Sequence, residues 1–451
     1  MRIDLSTDTT IAFAQQVTTA SLGDHSYIVV VDGEAAAIDI QRDLDRFDNL
    51  LDGLDVDLVA VFETHIHNDY VSGGKRLADT HGATYVLPAN TGASYPHTPL
   101  ADRESIALGS WRLEAMHTPG HTFNHTSYVL MSSEGPVAIF SGGSLLVGAV
   151  GRSDLLGPDH TDALLADQFA SAHRIADQIA GPSLVAPTHG SGSFCSASAV
   201  SDSVSTIALE KQRNPALLAP DAETFSAAQK AGYLAYPSYY AHMGPANLEP
   251  LGAPPATELP VVTDLDSIAD AVVIDVRPFE EYAEGHVVGS LSVPVSNDAA
   301  VYLGWVLPWN SALILTGEPT DIAEVRLQLA RIGWDNLVGA VDPRSLADIA
   351  RAPLATTNWV RWSEFDLDGP PVVDVRDRIE QESGVIPEAT AVHLSDFAKN
   401  AENYVDSDVV IHCQSGYRAA IAVGFAEAAG ANVTVVRDNL SRVPVPLTKP
   451  V

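Results

Sequence analysis

The sequence predicts an α/β protein of several domains, and two observations lead to this prediction. Short β-rich runs between residues 25 and 190 end in loops that carry histidines. Beyond residue 258, a pattern of apolar strand and Ala-rich helix occurs twice. With 451 residues the chain is longer than one hydrophobic core supports, so about two to four domains are expected.

Composition limits the classes of protein to be considered. Apolar residues make up 46% of the chain and charged residues 18%, which is typical of globular proteins. No apolar run approaches the roughly 18 residues that span a bilayer. Residues 1–8 lack the basic and apolar parts of a secretory signal, so a cytoplasmic location is expected.

Charge and cysteine content narrow the choice of partners. The formal net charge is −33 and the 25 Lys and Arg residues are scattered, so the chain would repel a phosphate backbone. We expect neither nucleic acid nor a membrane as a partner. The two cysteines, Cys195 and Cys413, are too few for a disulfide framework and fit a reducing compartment.

The first predicted domain comprises residues 1–250. Its β-rich runs include residues 26–31, 58–62 and 136–140, and they end in polar or Gly-rich loops. The proline-dense stretch Leu248–Pro255 indicates an interdomain linker, which ends this domain.

The rest of the chain is predicted to hold two α/β domains with parallel sheets, at residues 258–350 and 358–451. The pattern of the strand at residues 271–277 recurs in a strand at residues 371–377. Each is followed by a second apolar strand, a tight loop and an Ala-rich helix, an alternation that forms parallel sheets. These second strands are residues 312–317 and 408–413.

Histidines in three loops of the first domain form a candidate metal site. His65 and His67 follow an apolar strand and are two residues apart, so both side chains can reach one ion. Asp69 can serve a neighbouring position or a bound water. His121 and His189 lie on turns further along the chain. A single histidine is usually structural, but this ordered set indicates metal binding.

The ordered set resembles the motif of the metallo-β-lactamase superfamily, especially its glyoxalase II and persulfide dioxygenase branch, over residues 20–200. That motif is His-x-His-x-Asp-His, then a lone His, a bridging Asp and a last His. The segment around Arg152 matches the persulfide dioxygenase pattern. The resemblance implies an N-terminal αββα sandwich. The matching positions are His65, His67, Asp69, His121 and His189.

Two positions depart from this motif. Tyr70 stands where the superfamily has a second-site histidine, and Gly143 stands where it has a metal-binding aspartate. A second metal ion would have only Asp69 and His189, so one ion with an open position is expected. Three imidazoles suit zinc or iron; Fe(II) is favoured by the resemblance, Zn(II) is the alternative, and loss of the metal stays open. The expected ligands are His65, His67 and His121.

Several residues near these loops admit two interpretations. Cys195, six residues after His189, is either a sulfane-sulfur acceptor near bound substrate or a small buried hydrophobic residue. Tyr239, Tyr240 and His242 either line the mouth of the pocket or pack together before the linker.

A second site is predicted at Cys413, between an apolar strand and an apolar helix. A short loop in this position aims N–H groups and the positive helix end at one point, which would stabilise a thiolate or persulfide. Gly416 permits the turn, and Arg418 offers a planar cation for an anionic donor such as thiosulfate. We therefore expect Cys413 to be nucleophilic. The loop that would cradle its persulfide is Gln414, Ser415, Gly416 and Tyr417.

The six residues from Cys413 to Arg418 resemble the active loop of the rhodanese family. Residues 374–376 correspond to an early strand motif of that family. Residues 275–277 of the middle domain resemble the same motif, but Thr316-Gly317 occupies the cysteine position there. The resemblance implies an active C-terminal rhodanese domain and a catalytically inactive middle one with a structural or docking role.

The order of these domains resembles bacterial fusions of a persulfide dioxygenase with rhodanese domains. The resemblance implies an enzyme of hydrogen sulfide metabolism that oxidises a low-molecular-weight thiol persulfide to sulfite, while Cys413 exchanges sulfane sulfur with thiosulfate or sulfite. Two alternatives are a mononuclear zinc hydrolase of thiol esters, with Asp69 orienting the water, and a metal-free scaffold beside an active Cys413. The oligomeric state stays open, a homo-oligomer included.

Overall fold

The computed structural model divides the chain into two compact units. The first is Met1–Pro254 with Ala330–Gly333, and the second is Pro255–Leu329 with Trp334–Val451. The predicted linker Leu248–Pro255 lies partly outside the described residues. The described residues are 1–196, 203–249, 252–254, 258–265, 270–351, 353–365 and 369–449.

The first unit contains two β-sheets whose strands lie side by side in the order of the sequence. The first sheet begins with three antiparallel pairs and continues with three parallel pairs. Its strands are β1 (Arg2–Asp4), β2 (Ala12–Thr19), β3 (Asp24–Val31), β4 (Glu34–Ile38), β5 (Asp57–Phe62), β6 (Thr84–Pro88) and β7 (Thr98–Leu100). The second sheet consists of β8 (Ser105–Leu108), β9 (Trp111–His117), β10 (Thr126–Ser132), β11 (Gly135–Gly142), β12 (Leu184–Pro187) and β13 (Ser205–Thr206).

Alternation along the strands assigns apolar side chains to separate layers. In β3, Tyr27 and Val29 belong to the core between the two sheets, whereas Ile28 and Val30 belong to the core under the helices. Successive side chains of a strand point to opposite faces, so a strand covered on both faces is apolar throughout. This explains why every residue of β3 is buried.

Helices cover the outer faces of both sheets. On the first sheet lie α1 (Asp45–Leu54) and α2 (Gly74–His81), and on the second lies α3 (Pro158–Gln178). The predicted αββα layering is confirmed. No helix in the described parts of the chain has both the length and the apolar character needed to cross a membrane. The other helices of this unit are α4 (Ile207–Arg213), α5 (Pro215–Leu218), α6 (Ala222–Gly232) and α7 (Tyr240–Leu248).

Strand ends carry the candidate metal-site residues. His65 follows β5 of the first sheet. His121, Gly143 and His189 follow β9, β11 and β12 of the second sheet. An isolated antiparallel bridge between Asp24 and His189 joins the two sheets at this edge.

The second unit contains two sheets in which all strand pairs are parallel. The first consists of β14 (Val272–Asp275), β15 (Leu291–Ser292), β16 (Leu313–Thr316) and β17 (Leu337–Val341), in the order β15-β14-β16-β17. The second consists of β18 (Asn358–Val360), β19 (Val372–Asp374), β20 (Thr390–Ala391), β21 (Asp408–His412) and β22 (Asn432–Val436), in the order β18-β22-β21-β19-β20. The helices are α8 (Phe279–Glu284), α9 (Ala299–Val306), α10 (Pro319–Arg331), α11 (Leu346–Ala350), α12 (Arg378–Ser383), α13 (Leu394–Lys399) and α14 (Tyr417–Ala428).

The two sheets of this unit follow the same strand order. In the first sheet, β16 leads into the tight loop and lies between β14 and β17. In the second sheet, β21 leads into the loop and lies between β19 and β22. Val261 forms a parallel bridge with Ala340 of β17. Val261 therefore lies beside β17 in the first sheet as β18 lies beside β22 in the second. The strands predicted at residues 271–277, 312–317, 371–377 and 408–413 are all present as parallel strands.

Candidate functional site

Three buried imidazoles lie together at the sheet edge of the first unit. One ring nitrogen from each of His65, His121 and His189 lies within 4.8 Å of the other two. The Nε2 atoms of all three are buried and have no hydrogen-bond partner. A buried polar atom without a partner is costly, so a cluster of three lone pairs is the arrangement expected at a metal site.

The second nitrogen of two of these rings decides their tautomer. His121 Nδ1 lies 2.7 Å from the Arg152 carbonyl oxygen, and His189 Nδ1 lies 2.9 Å from Asp24 Oδ1. A carbonyl or carboxylate oxygen only accepts, so Nδ1 carries the proton and donates. The Nε2 lone pair is therefore free to bind a metal ion.

His65 also carries its proton on Nδ1, because this nitrogen donates to a hydroxyl group. Its Nδ1 lies 2.8 Å from Thr64 Oγ1, and that hydroxyl donates to Asp39 Oδ2 at 2.8 Å. Because the hydroxyl proton is used, the Thr64 oxygen accepts from His65. Burial, with neighbouring histidines, lowers the pKa of His65 and of His121 well below the usual range. All three donors are thus neutral ligands, and the set fits a metal ion.

His67 lies beside carboxylates and is not part of this cluster. Its Nε2 is 3.2 Å from Asp39 Oδ1 and 3.1 Å from Glu63 Oε2. Burial alone would lower its pKa, but Asp39 and Glu63 raise the pKa of His67 well above the usual value. The imidazoles whose nitrogens converge are thus His65, His121 and His189, while the His67 ring lies 4.1 Å from the His65 ring, centroid to centroid, and its role as a ligand stays a prediction. His67 Nδ1 has no hydrogen-bond partner and lies 4.0 Å from Asp69 Oδ1.

Gly143 and Tyr70 occupy the two positions that depart from the motif. A side chain has no room at Gly143, because a Cβ there would lie 2.6 Å from His121 Cγ. The Gly143 N–H donates to His125 Nε2 at 2.9 Å. Tyr70 stacks on His67, with its hydroxyl 3.0 Å from Nε2. Neither position therefore adds a ligand to the three imidazoles.

A buried thiol and two buried carboxyls lie next to the imidazoles. Cys195 Sγ groups with Asp69 and His189 within 4.8 Å. Burial raises the pKa of Asp24 and of Asp69 to about 7 each. Burial, and then Asp69, raise the pKa of Cys195 well above its usual range. Cys195 is thus both a buried residue and a neighbour of the site.

The other predicted neighbours of the site are Arg152, Tyr239, Tyr240 and His242. The Arg152 guanidinium pairs with Asp154, with Nε 2.6 Å from Oδ1, so this residue reaches the site through its carbonyl. Tyr239 and Tyr240 are buried with ring centroids 5.0 Å apart, and His242 is exposed.

Sequence reasoning missed the residues that orient the imidazoles. Asp24 begins a strand and Asp39 follows one, and Asp39 has a left-handed backbone with φ of 54°. The sequence signal that could have drawn attention to Asp39 is an aspartate directly after an apolar strand, a residue type that tolerates the left-handed conformation. His125, whose pKa burial lowers to about 3, lies within the same turn region as His121.

The cysteine loop of the second unit has the predicted form. Cys413 is 2% exposed and follows β21, and α14 begins at Tyr417. The Gly416 N–H donates to Cys413 Sγ at 3.1 Å. Gly416 has φ of 103°, and a Cβ there would lie 2.9 Å from Arg437 Cδ, so only glycine fits. Gln414 and Ser415 are exposed at the tip of the loop.

Arg418 is bound to two carboxylates of the same domain. Its NH1 donates to Asp377 Oδ2 at 2.9 Å, and its NH2 donates to Glu380 Oε1 at 2.8 Å. A further bond joins NH1 to Glu380 Oε2 at 2.5 Å. Although burial opposes it, Glu380 raises the pKa of Arg418 above the usual value. The fork that the sequence assigned to an anionic donor is therefore already occupied by Glu380.

Comparison with known proteins gives different matches for the two regions that contain the candidate sites. The model of the rhodanese-like domain matches residues 360–441, which include Cys413 and Arg418. The C-terminal region is a rhodanese domain. Its match covers the loop, the strand before it and the helix after it.

The N-terminal region resembles a solved structure described as a metallo-β-lactamase from Staphylococcus aureus subsp. aureus COL. The TM-score is 0.67 at 28% sequence identity, and the likeness covers 74% of this chain and 99% of that one. The N-terminal region has the metallo-β-lactamase fold. Because 74% of the chain exceeds the first unit, the likeness continues into the second.

Curated relatives match part of the metallo-β-lactamase-like region. A hydroxyacylglutathione hydrolase of Gloeobacter violaceus is 31% identical over 133 residues, which are 28% of this chain and 52% of the relative. A human hydroxyacylglutathione hydrolase-like protein is 32% identical over 132 residues, 28% of this chain and 45% of the relative. The chain thus spans about half the length of these relatives.

Proposed function

We propose that this protein oxidises a low-molecular-weight persulfide to sulfite at the three-imidazole cluster and transfers sulfane sulfur through Cys413. The observation that carries the proposal is the presence, on one chain, of a buried histidine cluster and a rhodanese cysteine. Two active sites on one chain raise the local concentration of an intermediate that both use. A persulfide is the intermediate that a rhodanese cysteine makes or consumes.

One metal ion, Fe(II) in preference to Zn(II), is proposed for the cluster, with His65, His121 and His189 as its ligands. Fe(II) would supply the chemistry with dioxygen that oxidation of a sulfur atom requires. The chain contributes fixed ring orientations, through the Arg152 carbonyl and the Asp24 carboxylate. Overall, a persulfide, dioxygen and water give a thiol, sulfite and protons.

At the second site, the chain's own residues account for the transfer of sulfur. The Cys413 thiolate forms a bond to the outer sulfur of a persulfide, while the sulfur–sulfur bond of the donor breaks and a thiol leaves with the donor's proton. The Gly416 N–H stabilises the sulfur anion before and after this step.

The middle region is proposed to be a second, inactive rhodanese-like domain. Its sheet has the same strand order as the C-terminal sheet. Thr316 ends β16 and Gly317 follows it, at the place where Cys413 follows β21. Without a thiol this region cannot carry sulfur, so its role is to support the C-terminal domain.

The first experiment compares His121→Ala with the unchanged chain after purification without air. We expect about one iron per chain in the unchanged protein and uptake of oxygen when glutathione persulfide is added. His121→Ala should lose most of the iron and the oxygen uptake. His160→Ala is the matched control, because His160 is exposed and outside the cluster.

Other outcomes would redirect the proposal. Stoichiometric zinc without oxygen uptake would point to a hydrolase. Absence of any metal, with sulfur transfer intact, would leave a sulfurtransferase beside an inactive N-terminal region. Equal loss of metal in His121→Ala and His160→Ala would contradict the assignment of the cluster.

A second candidate function is hydrolysis of a thiol ester by one zinc ion. It is favoured by the curated relatives, which are named hydroxyacylglutathione hydrolases. Asp69, buried beside His189 and without a hydrogen-bond partner, would orient the attacking water. Turnover of a glutathione thioester without oxygen, lost in His121→Ala, would support it.

A further inference from the structure

We propose that Glu380 and Asp377, by neutralising Arg418, make Cys413 select uncharged or cationic thiol persulfides over thiosulfate and other dianions. This inference rests on the proposed sulfur transfer at Cys413 and names its class of donor. It begins from a simple requirement. A dianionic donor needs an unpaired cation beside the nucleophile, because the nucleophile is itself an anion.

Arg418 does not meet this requirement. Its side chain is 9% exposed, and its two terminal nitrogens make three hydrogen bonds to Asp377 and Glu380. Two carboxylates around one guanidinium leave a net negative charge. A sulfonate group that approached Arg418 would have to displace Glu380 from a bidentate pair, which is the strongest geometry for such a bond.

Two other basic side chains near the loop are also paired with carboxylates. Arg437, whose side chain lies against Gly416, has its NH2 3.2 Å from Glu280 Oε1. His393 Nε2 lies 2.9 Å from Asp377 Oδ1. Arg418, Arg437 and His393 thus each face at least one carboxylate.

The middle region adds a further carboxyl and closes one side of the site. Asp298 precedes α9; burial raises the pKa of its carboxyl, and the charge of Arg418 opposes this rise. Tyr302 of α9 lies 5.4 Å, centroid to centroid, from Tyr417 of the loop. The Tyr417 hydroxyl donates to the Pro294 carbonyl at 2.8 Å. This side of the site therefore offers aromatic surface and negative charge, which suit a thiol that carries an ammonium group.

The two classes of donor differ in the charge that must enter. Thiosulfate would bring two negative charges, and its sulfite leaving group would keep them. The persulfide of cysteamine has an ammonium group that offsets its sulfur anion, and it leaves as a thiol. In both cases Cys413 Sγ gains the outer sulfur and the donor loses it. The donors also differ in leaving group, so the effect of charge is read from the change in the ratio of loading rates between variants.

The test measures how fast Cys413 gains one sulfur atom in the full-length chain, by mass spectrometry of the peptide after brief mixing without air. The donors are thiosulfate and cysteamine persulfide, and the readout is the ratio of the two loading rates. Glu380→Gln removes the negative charge beside Arg418. Glu382→Gln is the matched control on the same helix, because Glu382 is exposed and pairs with Arg378.

We expect the unchanged chain to load mainly from cysteamine persulfide. Glu380→Gln should raise the ratio of thiosulfate to persulfide loading about tenfold, since one like charge is removed beside a dianion. Glu382→Gln should leave the ratio unchanged. Added sodium chloride should speed thiosulfate loading of the unchanged chain and have little effect on the persulfide.

Equal loading of the unchanged chain from both donors would overturn the selectivity and leave sulfur transfer standing. So would equal ratios in Glu380→Gln and Glu382→Gln. No sulfur on Cys413 from either donor would instead refute the transfer, and the selectivity with it. Circular dichroism checks folding, and Asp377→Asn replaces Glu380→Gln if the latter does not fold.

Discussion

At the scale of single residues, Gly143 explains why the metal site differs from the superfamily pattern. The space that an aspartate would need is filled by the His121 ring. The glycine N–H in turn holds His125, which fixes the backbone of this turn. Placing a carboxylate at position 143 would therefore require a shift of the His121 ring.

The first prediction concerns Gly143→Asp. We expect it to lower the free energy of unfolding by roughly 2–4 kcal/mol, because it crowds a packed site and buries a charge. Metal content should fall as His121 is displaced. The measurements are urea unfolding and metal analysis. Gly53→Asp is the control, since a Cβ at Gly53 has open space. An iron-loaded Gly143→Asp protein of normal stability would show that His121 can move.

At the scale of elements, α14 joins the cysteine loop to the rest of its unit. Gly424 lets this helix approach β15 closely, because a Cβ there would lie 2.8 Å from Leu291 Cδ2. Near the end of the helix, Glu427 accepts hydrogen bonds from His286 Nε2 and Thr357 Oγ1, each at 2.7 Å. The helix that begins at the loop is therefore bound to the middle region.

The second prediction concerns Glu427→Ala. It leaves the buried His286 and Thr357 without their acceptor, so we expect a loss of about 1–3 kcal/mol in the free energy of unfolding. Glu427→Gln, which keeps an acceptor oxygen, should lose less. Chemical unfolding followed by circular dichroism measures both. Glu402→Ala, at an exposed position, should be near neutral. A neutral Glu427→Ala would mean that water satisfies both donors.

At the scale of the whole molecule, the dominant feature is the large negative net charge. The net charge of −33 comes from 58 acidic and 25 basic residues. Like charges repel in the compact state more than in the extended chain, and dissolved salt screens this repulsion. The acidity of the Cys413 surroundings is thus part of a general property of the chain.

The third prediction is that salt stabilises the protein. Between about 0.05 M and about 1 M sodium chloride, the free energy of unfolding should rise by at least about 1 kcal/mol. Urea titration at several salt concentrations measures it, because urea is uncharged. Potassium chloride at equal ionic strength should act alike. Stability that does not change or that falls with salt would mean that attractive ion pairs outweigh the repulsion.

Much of the fold was predictable because its signals are local. The run at residues 26–31 became β3, and the loop from Cys413 to Arg418 joins β21 to α14 as its pattern indicated. In both cases neighbours in sequence supply the defining contacts. The hydrogen bond from the Gly416 N–H to Cys413 Sγ spans three residues.

The sequence by itself determined the fold class, the parallel repeats, the histidine-bearing loops and the position of the cysteine loop. Only the tertiary structure decided which groups face each other. His189 joined the cluster because Asp24, 165 residues away, orients its ring, and His67 was drawn to Asp39 and Glu63. The motif marked both histidines but not these partners, because the bonds to Asp24 and Asp39 depend on where the strands end in space.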